Sequence, residues 1–138
     1  MPRFCLDASV VLARLLQEGL PLVESFWSSV TQNDDLVAAQ LLPAECTSVI
    51  RRAAFSGRIT SDEGRRLVQE LVHLPLQVVG SAQQFVRAFE LADRFQHKKA
   101  YDMQYLAVAE IERAVLITVD RGLRHAAREI GVPVTYLR

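Results

Sequence analysis

Phe4-Cys5-Leu6-Asp7-Ala8-Ser9-Val10 is the stretch from which the fold can be read. Phe4, Cys5 and Leu6 form a short apolar run that suits a strand buried on both faces. The run ends at a carboxylate, and Val10, Val11, Leu12, Leu15 and Leu16 follow at helix-compatible spacings. Asp7 therefore stands where a strand hands over to a helix. In parallel α/β sheets, ligands bind at that edge.

The same alternation recurs along the chain. A helix from about Ala8 to Gln17 stops near Gly19, and Pro21 suits the first turn of the next, which carries Leu22, Val23, Phe26, Trp27 and Val30. Asn33-Asp34-Asp35 signals a turn before a short strand, Leu36 to Ala39. Pro43 opens a helix from Leu42 to Phe55, which ends around Gly57. Thr60-Ser61-Asp62-Glu63 and Ser81-Ala82-Gln83-Gln84 have the form of capping boxes; the strand Leu76 to Val79 lies between the helices they begin. A helix is expected from about Ala100 to Arg113. Val115 to Val119 is the clearest strand, β-branched and apolar, and it ends at Asp120. A last helix, Arg121 to Ile130, is closed by Gly131 and leads to a strand over Val132 to Leu137, where Pro133 marks an edge strand or a strand start. The reading is an α/β fold: one domain over residues 1–138, with a central, mostly parallel sheet and helices on both faces.

Composition narrows the function. At 138 residues, half of them apolar, the chain can bury a real core. No apolar run approaches the roughly 18 residues of a membrane helix. The N-terminus shows no signal-peptide pattern, so cytoplasmic residence is expected. Two cysteines are too few for a disulfide framework, and three scattered histidines make a zinc site a poor fit. A formal net charge of zero argues against indiscriminate nucleic-acid binding. The arginines nevertheless cluster, as Arg51, Arg52, Arg58, Arg65 and Arg66 in one region and Arg121, Arg124 and Arg128 in another. Solvated helix faces are the plain account; phosphate-contacting rims are the sharper one.

Asp7 and Asp120 each terminate a strand and precede a helix. Glu45 lies on or beside the apolar stripe of its helix, and Asp102 shares a face with Leu106 and Ala109, so both are expected to look inward. Singly, each acid has an ordinary explanation: an N-cap for Asp7 and Asp120, an arginine partner for Glu45, the helix dipole for Asp102. Jointly they point to one pocket, because like charges brought together need a cation. An all-carboxylate site prefers a hard ion, Mg²⁺ or Mn²⁺, and such ions polarise phosphodiesters and activate water. Ser9, two residues after Asp7, and Thr118, two before Asp120, are candidates to bind a metal water or a phosphate oxygen, with local backbone bonding as their alternative role. Phosphate-cradling glycine motifs and a serine nucleophile elbow are absent.

Leu6-Asp7-Ala8-Ser9-Val10, Leu42-Pro43-Ala44-Glu45, Tyr101-Asp102 with Tyr105-Leu106-Ala107, Thr118-Val119-Asp120 with Leu123, and Gly131-Val132-Pro133-Val134 together resemble the PIN-domain ribonucleases, and among them the VapC-like toxins of toxin–antitoxin pairs. The resemblance implies five parallel strands and an active site in which Asp7, Glu45, Asp102 and Asp120 hold Mg²⁺ or Mn²⁺, with Thr118 and Ser9 auxiliary. It further implies cleavage of RNA used in translation, a homodimer and a small cognate antitoxin. Two features depart from the pattern. Lys98 and Lys99 stand where a small capping hydroxyl residue is usual, and no further acid closely follows Asp120, so a second metal would be held less firmly. An RNA-processing nuclease without an antitoxin, and a non-catalytic module with an acidic docking pocket, are the competing readings.

Overall fold

The computed structural model describes residues 2–138. In chain order the elements are β1 (Arg3–Leu6), α1 (Ala8–Leu15), α2 (Pro21–Ser29), β2 (Asp35–Ala39), α3 (Leu41–Phe55), α4 (Ser61–Val72), β3 (Gln77–Val79), α5 (Ala82–Arg94), α6 (Tyr101–Ile111), β4 (Val115–Thr118), α7 (Arg121–Glu129) and β5 (Val134–Tyr136). The two capping signals act as expected at the N-caps: Thr60 accepts from the Glu63 amide at 3.1 Å and Ser81 from the Gln84 amide at 3.3 Å.

Helix ends differ from the sequence expectation for a backbone reason. Helix α1 stops at Leu15 and α6 at Ile111, each two residues early, because Gln17 (φ 51) and Arg113 (φ 52) adopt the left-handed conformation that terminates a helix. Helix α6 starts at Tyr101 behind Ala100, which supplies no side-chain cap; the lysines before it leave that end uncapped. Strand β5 is shorter than expected because the Val132 amide turns back to the Ala127 carbonyl at 2.9 Å and Pro133 has no amide to offer.

The strands form one sheet in the order β3-β2-β1-β4-β5, and every neighbouring pair is parallel. Cys5 and Leu6 in β1 and Leu36 to Ala39 in β2 are all buried. Successive strand side chains project to opposite faces, so both faces of the sheet are covered. From β1 the chain builds outward through β2 and β3, then returns to place β4 and β5 on the other side. The strand order therefore reverses between β1 and β4. A crevice opens at the carboxyl ends of two strands that diverge in this way. Asp7 directly follows β1, and Asp120 follows β4 by two residues, so both acids lie at that crevice.

Candidate active site

Asp7 is the structural centre of the crevice. It is the N-cap of α1 and is buried at 3% exposure. Its Oδ1 accepts from the Ser9 hydroxyl at 2.6 Å and from the Val10 amide at 3.2 Å, while its Oδ2 accepts from the Thr118 hydroxyl at 2.6 Å. Those hydroxyls are themselves anchored. Ser9 Oγ accepts from the Val119 amide at 3.2 Å, and Thr118 Oγ1 accepts from the Asp120 amide at 2.9 Å. Two side chains thus stitch the start of α1 to the end of β4, and each gives its proton to Asp7.

Burial dominates the electrostatics here. Removal from water pushes the Asp7 carboxyl up to about 6, against the lowering effect of the Ser9, Thr118 and Val10 hydrogen bonds, and the nearby Asp120 charge raises it further. Among the described residues no arginine or lysine pairs with that charge. Among the described residues, none of Asp7, Glu45, Asp102 and Asp120 enters an ion pair.

Asp120 caps α7, its Oδ1 accepting from the Leu123 amide at 2.9 Å, and the residue is exposed. Asp102 was expected to face inward. It lies instead at the exposed edge of the first turn of α6, because Met103, Leu106 and Ala107 fill the buried side of that helix. Its carboxyl still rises above the ordinary aspartate range, through partial burial first and the Asp120 charge second, with His97 opposing. Asp7, Asp120 and Asp102 therefore sense one another in series.

Glu45 has a partner, but not an arginine. The Tyr105 hydroxyl, carried by α6, donates to Glu45 Oε2 at 2.5 Å. Tyr105 is itself almost fully buried, and both burial and the adjacent Glu45 carboxylate drive its phenol far above its ordinary range. Burial pushes the neighbouring Cys46 thiol up to about 12, with smaller contributions from Glu45 and Asp7. Both cysteines are free and buried, as small core side chains. Tyr105 was not among the expected site residues. Its sequence signals are its place in the Tyr105-Leu106-Ala107 block and its position three residues after Asp102, about one turn along α6.

Among the described residues, no three of the His, Cys, Asp and Glu side chains draw together closely enough to hold a metal ion as they stand. The donor chemistry nevertheless suits a hard divalent cation: carboxylate oxygens, no countercharge, and a buried acid held high by burial and by a neighbouring acid. Asp102 and Asp120 are exposed, and exposed side chains change rotamer freely.

The PIN domain family matches residues 4–129, a span that holds all four acids. The chain belongs to the PIN-domain family. It is 31% identical over 123 residues to a protein named ribonuclease VapC9 from Mycobacterium tuberculosis, covering 85% of each chain. The fold of this PIN domain is similar to that of VapBC2 from Rickettsia felis, solved with a fragment of promoter DNA, at a TM-score of 0.72 and 12% identity over 99% of each chain. It is also similar to VapC20 from M. tuberculosis, described as a sarcin–ricin-loop-cleaving toxin, at a TM-score of 0.68 and 15% identity over 89% of this chain and 94% of that one.

Proposed function

We propose that this PIN domain is a Mg²⁺- or Mn²⁺-dependent endoribonuclease and the toxin of a VapBC-type toxin–antitoxin pair. The carrying observation is Asp7: a buried carboxylate without a cationic partner, held on three donors at the point where the strand order reverses, beside a second acid. Relatives named VapC ribonucleases, at 31% identity over most of the chain, give that carboxylate its substrate class, RNA.

In this reading Asp7 and Asp120 are the main metal ligands and Asp102 and Glu45 complete the site. The cation, when bound, lowers the pKa of a water and steadies the leaving oxygen of the phosphodiester. The chain's own residues do the rest. Ser9 and Thr118 fix both oxygens of Asp7, so the carboxylate is oriented before any ligand arrives. Tyr105 fixes one oxygen of Glu45 and leaves the other free. Burial of Asp7 and Thr118 excludes water from the floor of the crevice. A small antitoxin laid across the acids would silence the enzyme; the antitoxin complexes among structures of the same fold support such a partner. A homodimer and cytoplasmic residence belong to the same proposal. No helix among the described residues is long and apolar enough to cross a membrane.

The test is incubation of the pure protein with defined tRNA and rRNA, with Mn²⁺ and then with chelator. Cleavage that needs the ion and disappears in Asp7→Asn, with the fold intact, is the expected result. Unchanged cleavage by that variant removes the mechanism, and absence of any cleavage favours a non-catalytic acidic docking module. Co-purification of a small DNA-binding protein separates a toxin from an RNA-processing enzyme.

A further inference from the structure

Helix α7 begins at the crevice and carries Arg121, Arg124, His125 and Arg128 at spacings of three and four, one stripe along its surface. Arg124 differs from the other three. Its guanidinium carbon lies over the Tyr136 ring, 4.8 Å from the centroid, a cation–π contact that braces the side chain against β5. Its Nε is buried without a hydrogen-bond partner, and the side chain enters no ion pair among the described residues.

A buried guanidinium donor without an acceptor is uncommon and calls for a physical reason. Among the described residues Arg3, Arg66 and Arg87 close their donors on carboxylates. Arg87 reaches Glu110 through Nε at 2.6 Å and Nη2 at 3.1 Å, and Arg3 reaches Asp35 at 2.7 Å. Arg124 has the same fork and no anion in it. It is also close to the chemistry. The Arg124 amide donates to the Asp120 carbonyl at 3.1 Å, one helical turn from the cap, and Tyr136 is aligned in the sheet with Thr118, the residue that holds Asp7. The residue is half-buried: Nε faces the protein, and the Nη groups, which have no acceptor of their own among the described residues, suit an acceptor with two oxygens.

We propose that Arg124, braced by Tyr136, binds a backbone phosphate of the RNA next to the one that is cleaved, and so positions the strand across the carboxylates. This rests on the ribonuclease reading above. The phosphate oxygens accept from the two Nη groups, the donors of this guanidinium that are not sealed inside the protein, and the ring removes the rotamer freedom that a surface arginine would lose on binding. Arg121 and Arg128, exposed along the same stripe, extend the track.

Cleavage of a short single-stranded RNA with Mn²⁺, followed over a series of salt concentrations, tests the proposal with wild type, R124Q and R124K. R124Q is expected to raise KM about tenfold with kcat changed little, as loss of a charged hydrogen bond to bound substrate requires. The slope of log KM against log salt should fall by about 0.7, the share of one phosphate contact on a single strand. R124K should keep the slope and raise KM several-fold, since it retains the charge and loses the fork. Should R124Q melt or fail to fold, R124K decides: an unchanged KM overturns the proposal. Equal KM and salt slope in wild type and a folded R124Q would also overturn it, leaving Arg124 as packing between α7 and β5. Wild type that cleaves no RNA would take down the ribonuclease reading and this one together; wild type that cleaves while the variants match it takes down this one alone.

Discussion

Replacing Asp7 by Asn should make the metal-free protein more stable near neutral pH, although it removes the candidate metal ligand. A carboxyl raised from its ordinary 3.8 to about 6 prefers its proton in the folded state. Below about pH 4 both folded and unfolded chains hold the proton and no difference arises. As pH climbs towards 6 the unfolded chain ionises first, so stability is lost through that window and stays lost above it. The deficit is about 3 kcal/mol. Asn is as good an N-cap as Asp, so the bond to the Val10 amide survives. With the oxygen kept on the Val10 and Ser9 side, its amide nitrogen faces Thr118 and forces that hydroxyl to accept instead of donate, which costs about 1 kcal/mol. The net expectation is a gain of about 2 kcal/mol near neutral pH that turns into a loss of about 1 kcal/mol in acid, where the ionisation deficit is gone and the hydroxyl cost remains. Urea melts in chelator at the two pH values read this as a change in midpoint at constant slope. An Asn variant less stable than wild type at neutral pH, or a gain that persists unchanged in acid, would refute the account of Asp7.

Other perturbations probe the partners of the acids. Thr118→Val keeps the shape and removes the hydroxyl, leaving Asp7 Oδ2 and the Asp120 amide unpartnered; it should destabilise by about 1–3 kcal/mol in chemical melts and lower cleavage roughly 10- to 100-fold. Tyr105→Phe retains the ring in the core and frees Glu45, so thermal stability should hold while kcat falls about tenfold; an unchanged rate would show that Glu45 needs no positioning. Because a proton and a cation compete for Asp7, the Mn²⁺ concentration needed for half-maximal cleavage should rise as pH drops below about 6. A flat requirement from pH 7 down to about 5 would place the cation elsewhere.

Much of this was legible from the sequence, and the rest was lost for identifiable reasons. Strand ends followed by carboxylates are a local signal, and Asp7 and Asp120 do sit at the β1–β4 crevice, each also serving as the N-cap that was its ordinary explanation. The two readings do not compete, since an N-cap uses one of about four lone-pair sites on a carboxylate. Helical spacing placed Asp102 on the side of Leu106, yet at the first turn a half-turn of ambiguity separates buried from exposed, and Met103 and Leu106 took the buried side. The partner of Glu45 was out of reach, because Tyr105 is sixty positions away in the chain and joins it only through packing of α3 and α6. Ser9 and Thr118 were expected either to face a metal water or phosphate or to bond backbone, and each does accept a backbone amide. Spacing cannot say where a hydroxyl proton points, and both point at Asp7.

Asp7 is a poor choice if stability alone is considered. Burial raises its proton affinity more than its three donors lower it, and Asp120 adds repulsion without any arginine to relieve it. An uncompensated acid in a buried position is sustained when some ligand of the folded state recovers the loss. A cation that binds the folded protein at a hundred times its dissociation constant stabilises by about 2.7 kcal/mol, close to the deficit assigned to the ionised carboxylate. Saturating Mn²⁺ should therefore raise the melting temperature of wild type and leave Asp7→Asn almost unmoved, closing the gap between them near neutral pH. An equal shift in the two proteins would mean that the ion binds without Asp7, and the central carboxylate would then be a cap and nothing more.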